Sequence, residues 1–120
     1  MPTSEDARIP AYFETEAQAK PLPVTLNPDL FWNTAAFKAY QVAKEIPGVL
    51  AQQPCYCKCD KGSGHRSLAD CYRDNHASTC LICIKEALLA AKLTKEGVSV
   101  NDIRAAIIRG DWNRIEAPRP

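Results

Sequence analysis

The sequence predicts a small, mainly helical domain: a bundle of about four helices, with a cysteine-rich loop packed on the helices and an irregular N-terminal arm. Three observations predict it. Apolar residues recur at helical spacing in separate stretches, each bounded by cap or breaker residues. Outside one segment, nothing alternates with the period of a strand. That segment, Pro54 to Cys83, holds all six cysteines and both histidines of the 120-residue chain. A folded core of roughly 80 residues is marginal by burial alone, so a staple of metal or disulfide would stabilise it.

In chain order, residues 1–26 read as an extended arm. Pro2, Pro10, Pro21 and Pro23 interrupt it, and Tyr12, Phe13, Leu22, Val24 and Leu26 are available to lie on the core. The single domain spans residues 27–110. Its first helix opens with Asn27 as N-cap, Pro28 at the first helical position and Asp29 complementing the dipole. Leu30, Phe31, Ala35, Phe37, Val42 and Ile46 continue a stripe of about five turns, with the aromatic residues, Trp32 included, expected in the core. Pro47-Gly48 stops it.

Residues 49–53 form a connector, and Asp60-Lys61-Gly62-Ser63-Gly64 is a turn signal. Ser67-Leu68-Ala69-Asp70 fits an acidic capping box opening a short helix to Tyr72 or Arg73. The next helix is expected from Ala77 to Leu93, capped by Asn75 or His76, favoured at its C-terminal end by Lys92 and Lys95 and ended by Gly97. Ser99-Val100-Asn101-Asp102 caps a last helix to Arg109, with Val100, Ile103, Ile107 and Ile108 as its buried stripe and Gly110 as its stop. Residues 111–120 read as a tail.

The bulk numbers narrow the function. A net charge of +1 offers no electrostatic case for nucleic acid or an anionic membrane. No apolar run approaches the ~20 residues that span a bilayer, so no transmembrane segment is expected. The start, Met1-Pro2-Thr3-Ser4-Glu5-Asp6, has neither the basic n-region nor the apolar core of a leader, which leaves a cytosolic chain or a mature one whose leader has been removed.

The chemistry lies in the thiols. On a continuous helix His76, Cys80, Cys83 and Ala87 share one face, and the β-carbons of such neighbours stand ~5–6 Å apart, so both thiols can reach one ion. Ala87 leaves room beside them. The helix start also favours the thiolates of Cys80 and Cys83. Cys55, Cys57 and Cys59 would share one face of a straight strand with successive thiols ~6.6 Å apart, too far for three ligands of one tetrahedral ion. The segment therefore curls around a metal or lines a cluster of several.

Tyr56, pointing away from its neighbouring thiols, reads as packing. Lys58, Lys61, Arg66 and Arg73 flank the cluster and read as solvated loop charges that could also offset thiolate charge. Cys71 lies between the two halves, and His65 and His76 are auxiliary ligand candidates. Six thiolates select soft or borderline ions. Copper(I) is slightly favoured because it accepts bridging thiolates, with zinc next, while an iron–sulfur cluster usually shows other spacings. A framework of three disulfides stays open if Cys55, Cys57 and Cys59 pair across with Cys71, Cys80 and Cys83. No nucleophile with an orienting base and an oxyanion hole can be named, so an enzyme is not the expectation.

The run Pro54-Cys55-Tyr56-Cys57-Lys58-Cys59, with Gly64-His65-Arg66-Ser67-Leu68-Ala69-Asp70-Cys71-Tyr72, His76-Ala77 and Cys80-Leu81-Ile82-Cys83, resembles the bacterial PCYCGC-motif (also CYCYC-type) proteins. The likeness extends upstream to Ala43-Lys44-Glu45-Ile46-Pro47 and downstream through Glu86-Ala87, Lys95-Glu96-Gly97 and Ile103-Arg104, covering about residues 40–108. Lys58 departs from the Gly or Tyr of that motif and leaves every candidate ligand in place. The resemblance implies an exported, extracytoplasmic protein, with residues 1–26 as a spacer after a removed leader. It assigns no metal, substrate or catalytic residue.

The expectation is a soft-metal-binding protein for binding, storage or delivery. Its ligands are Cys55, Cys57, Cys59, Cys71, Cys80 and Cys83, with His76 and then His65 as auxiliaries. Its partners are metal ions and a protein that receives metal or electrons. Electron transfer through an iron–sulfur or copper centre, and a disulfide-stapled interaction domain, are the alternatives.

Overall fold

A computed structural model describes residues 9–57 and 64–116. Among the described residues five α-helices carry the fold: α1 (Glu16–Ala19), α2 (Phe37–Glu45), α3 (Pro47–Ala51), α4 (Leu81–Lys95) and α5 (Val100–Arg109). Between and after them the described residues form four 3-10 turns, at Pro28–Phe31, Leu68–Tyr72, His76–Thr79 and Asp111–Arg114. No strand occurs among the described residues. The helical class follows the apolar periodicity, and the cysteine-rich segment packs on the helices as the spacing predicts.

α4 is the axis. Cys83, Ile84, Glu86, Ala87, Leu89 and Ala90 are its buried residues, and α2, α3, α5 and the turns at Leu68–Tyr72, His76–Thr79 and Asp111–Arg114 pack around it. α5 is laid against it through Ile103, Ala106 and Ile107. Both ends of α5 behave as its residue types require. Ser99 Oγ accepts the Asp102 N–H at 3.2 Å, and Gly110 adopts φ 90°, a left-handed C-terminal conformation that costs glycine nothing. Ile108, expected in the buried stripe, is instead 39 % exposed, and Ala106 takes its place. One position along a helix is a 100° rotation, enough to turn Ile108 off the core.

The predicted five-turn helix is two pieces. Asn27 caps the first as expected, its Oδ1 accepting the Asp29 N–H at 3.0 Å, but the turn ends at Phe31. Asn33 sits at φ 61°, a region asparagine tolerates. Thr34 Oγ1 donates to the Phe31 carbonyl at 2.7 Å and accepts the Ala36 N–H at 3.2 Å. These short-range bonds satisfy backbone groups that a continuous helix would otherwise use, and the chain restarts at Phe37. Pro47 does end the second piece, and it also opens α3, where its missing N–H costs nothing.

The break changes what the aromatic residues do. Tyr40 is fully buried, stacks on Phe31 with ring centroids 4.0 Å apart and meets Tyr72 edge-on at 4.8 Å. Trp32, expected in the core, is 70 % exposed and touches Phe37 edge-on. Trp32→Ala is therefore expected to cost about 1 kcal/mol or less, against about 3–5 kcal/mol for Tyr40→Ala. Chemical denaturation of the two variants checks this ordering.

The arm is tied down by backbone and by one cation. The Phe13 N–H donates to the Ala51 carbonyl at 3.1 Å, and the Leu26 N–H to the Tyr72 carbonyl at 2.9 Å. Arg104 of α5 donates to the carbonyls of Gln52 (2.8 Å) and Phe13 (3.1 Å) and lies 4.3 Å from the Tyr12 ring centroid. Beyond Gly110 the chain continues onto the core, where Trp112 and Ile115 pack.

Candidate metal centre

The thiols gather at the N-terminal end of α4, and three segments deliver them. The first is α4 itself. The expected continuous helix from Ala77 is interrupted: Cys80 is extended (φ −116°, ψ 101°) between the turn at His76–Thr79 and the start of α4 at Leu81. Ser78 Oγ and Thr79 Oγ1 donate to the carbonyls of Asn75 and His76, at 2.6 and 3.4 Å, and end the turn locally. Cys80 then caps α4, its Sγ accepting the Cys83 N–H at 3.3 Å. His76, Cys80 and Cys83 still converge, through this corner rather than through helical phase.

The second segment is the Pro54–Cys57 turn. The strand geometry that would hold successive thiols ~6.6 Å apart is not adopted, and Cys55 and Cys57 Sγ stand 3.3 Å apart. Glu86 of α4 holds this turn in place, its Oε2 accepting the Tyr56 N–H at 2.9 Å. Tyr56 packs against the core, as expected. The third segment is the Leu68–Tyr72 turn, which delivers Cys71. Its capping box does not form, because Ser67 makes no side-chain cap bond. Asp70 instead accepts from the Arg66 N–H and Nε, each at 2.9 Å, and from Nη2 at 3.2 Å. Burial would raise the Asp70 carboxyl, but the Arg66 hydrogen bonds and charge outweigh it and hold it below the usual range. Arg66 is thus paired with Asp70, while its side chain stays 41 % exposed to solvent.

The two histidines lie beside these thiols. His65 is 4 % exposed and meets His76 edge-on, with ring centroids 5.0 Å apart. Asp74 stands between them: its Oδ1 accepts the His76 N–H at 2.8 Å and its Oδ2 lies 3.9 Å from His65 Nε2. His65 Nδ1 is buried and finds no hydrogen-bond partner among the described residues. Beneath the site, Tyr72 donates its hydroxyl to the Cys83 carbonyl at 2.7 Å.

These segments bring together seven of the eight expected ligands; Cys59 lies outside the described residues, as do Lys58 and Lys61. The ligand atoms form three overlapping groups, each with all its atoms within 4.8 Å of one another: Cys55, Cys57, Cys71 and Cys83; Cys57, His76, Cys80 and Cys83; and His65, Cys71 and His76. Within the first, Cys55 and Cys83 Sγ are 3.1 Å apart, and Cys57 and Cys83 Sγ 3.5 Å. Metal–sulfur bonds of ~2.3 Å in a tetrahedron place sulfurs ~3.8 Å apart, so the donor atoms suit a thiolate-bound ion. The cysteine and histidine groups are positioned to bind metal. None of the five described cysteines is in a disulfide, so the alternative three-by-three framework is not formed among them.

The electrostatics reflect crowding. The helix start was expected to favour the thiolates of Cys80 and Cys83, yet both thiols are pushed up in the metal-free chain. For Cys80 the hydrogen bond with Cys57 is the main cause. For Cys83 the bond with Cys55 favours the thiolate, but Cys57, Cys71, Cys80 and burial outweigh it. A cation placed among these sulfurs reverses the balance by attracting the thiolate form.

Glu86 is the functional residue that sequence reasoning did not single out. It is fully buried, and burial pushes its carboxyl up to about 8, partly offset by hydrogen bonds from Cys55 and the Tyr56 N–H. Its Oε1 has no partner among the described residues. The signal was a lone acid three residues after Cys83, beside Ala87 on an otherwise apolar helix face. Away from the thiols, a surface cavity of about 630 Å³ between α4, α5 and the C-terminal turn has no cysteine or histidine in its lining.

Among known families, the one described as proteins of unknown function with the PCYCGC motif matches residues 11–113, which includes most of the arm. No curated protein and no solved structure matches the chain significantly.

Proposed function

The chain belongs to the PCYCGC-motif family, and from that premise we propose that it is a soft-metal-binding protein whose thiolates hold a small polynuclear site for storage or delivery, with copper(I) ahead of zinc. The observation that carries the reading is the sharing of Cys57 and Cys83 between two four-ligand groups. A thiolate bridges two soft ions, and two groups with common sulfurs fit two ions held close together better than one isolated zinc site, which needs four ligands of its own. Copper(I) takes bridging, low-coordinate thiolates readily. Cys71 and His76 link the third group to the first two, so His65 belongs to the same site. Cys59, two positions after Cys57 in the sequence, is proposed as a further thiolate ligand.

The cellular setting belongs to this proposal. No helix among the described residues is long and apolar enough to cross a membrane. An extracytoplasmic location is the reading carried by the family likeness, with a protein partner that receives the metal. Electron transfer through a copper or iron–sulfur centre is the second reading, favoured by the same close grouping of thiolates around a buried core.

Elemental analysis of the protein purified without added metal, expressed per chain, tests the proposal. More than one copper per chain is the expected result. One zinc per chain replaces the cluster with a structural site. A brown protein with broad visible absorption establishes an iron–sulfur centre instead, and no metal at all overturns the reading.

A further inference from the structure

The two four-ligand groups differ in a way that a single storage site would not require. In the first, Cys55 is 2 % exposed and Cys71 and Cys83 are fully buried, leaving only Cys57 half-buried. In the second, Cys57, His76 and Cys80 are all half-buried and only Cys83 is buried. The groups share the pair Cys57 and Cys83, whose sulfurs are 3.5 Å apart. One group is therefore enclosed and all-thiolate, and the other opens to solvent and includes a nitrogen ligand.

Resting on the soft-metal reading above, we infer that the open group is an exchange port: cargo enters and leaves at Cys57, His76, Cys80 and Cys83, and is passed to the enclosed group across the shared sulfurs. Cys80 suits a ligand that lets go. When it holds no metal its sulfur keeps a partner, the Cys83 N–H at 3.3 Å, at the start of a fifteen-residue helix. His76 is similarly placed at the rim, with its backbone fixed by Asp74 and its Nε2 3.5 Å from Cys57 Sγ.

The inward step balances without any redox change. The bonds from the ion to His76 nitrogen and Cys80 sulfur break, and bonds to Cys55 and Cys71 sulfur form, while Cys57 and Cys83 stay attached. Cys55 and Cys71 each give up a thiol proton. Cys80 takes up one, and the other passes to water. The ion keeps its charge throughout, and at no point does it lose all its protein ligands. A second ion can then occupy the open group, which makes that position the last filled and the first emptied.

The test uses the full chain, reduced and under anaerobic conditions, with copper(I) supplied as its bicinchoninate complex and removed by excess bicinchoninate, both followed by the chelator's colour in stopped flow. The wild type should release metal in two phases. Cys80→Ser should lose the fast phase and load the remaining metal about tenfold more slowly. It should keep the slow phase and its affinity. Cys55→Ser should do the reverse, keeping the fast phase and losing the slow one. Serine retains the N-cap at position 80, so the fold is preserved in that variant. Release in a single phase from a wild type that binds two or more ions overturns the port and leaves the storage reading standing. So does loss of the same phase in both variants, or an unchanged loading rate in Cys80→Ser. A wild type that binds no copper(I) overturns the storage reading itself.

Discussion

Replacing Cys83 or Cys57 with serine is expected to remove more metal per chain than replacing Cys55 or Cys80. The reason is membership: Cys57 and Cys83 each belong to both four-ligand groups, whereas Cys55 and Cys80 each belong to one. A structural thiolate site is worth roughly 12 kcal/mol, so one ligand of four contributes about 3 kcal/mol at that position, or about 100-fold in affinity. Losing a shared ligand levies that cost on two ions, and losing an unshared one on a single ion. Elemental analysis after equilibration against a competing chelator reads the difference directly, with circular dichroism confirming that each variant keeps its helices. Equal losses from Cys55→Ser and Cys83→Ser would dismiss the shared-thiolate arrangement. Cys57 is only half-buried, so serine there tests the same idea with little risk to the core.

Glu86→Gln is expected to make the metal-free, reduced chain more stable than the wild type at alkaline pH, and nearly equal to it in acid. The folded Glu86 carboxyl is pushed up to about 8 by burial, against an ordinary value of 4.5. Below about pH 4.5 the group is neutral in both folded and unfolded chains, and glutamine is a close substitute. Between about 4.5 and 8 the unfolded chain ionises and the folded one does not. Unfolding therefore releases a proton, and wild-type stability falls as pH rises. Above about 8 the loss is complete, on the order of 3–5 kcal/mol. Glutamine stays neutral throughout and keeps an oxygen for the Tyr56 N–H, so the variant escapes this loss. The thiols titrate in both proteins and largely cancel in the comparison. Urea denaturation at pH 5 and pH 9 supplies the measurement, and a difference independent of pH would contradict the buried, neutral carboxyl.

Glu86 also shows what connects fold to site. An acid on the buried face of α4 is expensive unless something uses it. Its one satisfied oxygen binds the backbone between Cys55 and Cys57, and thereby folds a segment that would otherwise hold its thiols apart. Tyr72 acts from below, anchoring the first turn of α4 through the Cys83 carbonyl while it packs against Tyr40. The thiol cluster is thus positioned by a buried carboxyl group and an aromatic stack, neither of which contains a metal ligand.

Features governed by local chemistry could be read from the residues alone. The Asn27 cap, the Ser99 cap, the left-handed glycines at 97 and 110 and the lysines closing α4 each depend on a few neighbouring atoms, and each occurs where the sequence puts it. The helical class and the concentration of metal-binding side chains were legible for the same reason. The breaks at Asn33 and Cys80 were less so, because short hydroxyl-to-backbone bonds there compete on nearly equal terms with another helical turn. Which residues face out, as Trp32 and Ile108 do, depends on the rotation of each helix against its neighbours. The grouping of the thiols depended on tertiary structure most of all. Cys55, Cys71 and Cys83 meet across as many as 28 positions of chain, and only the packing of two loops on the start of α4 brings their sulfurs within bonding distance of common ions.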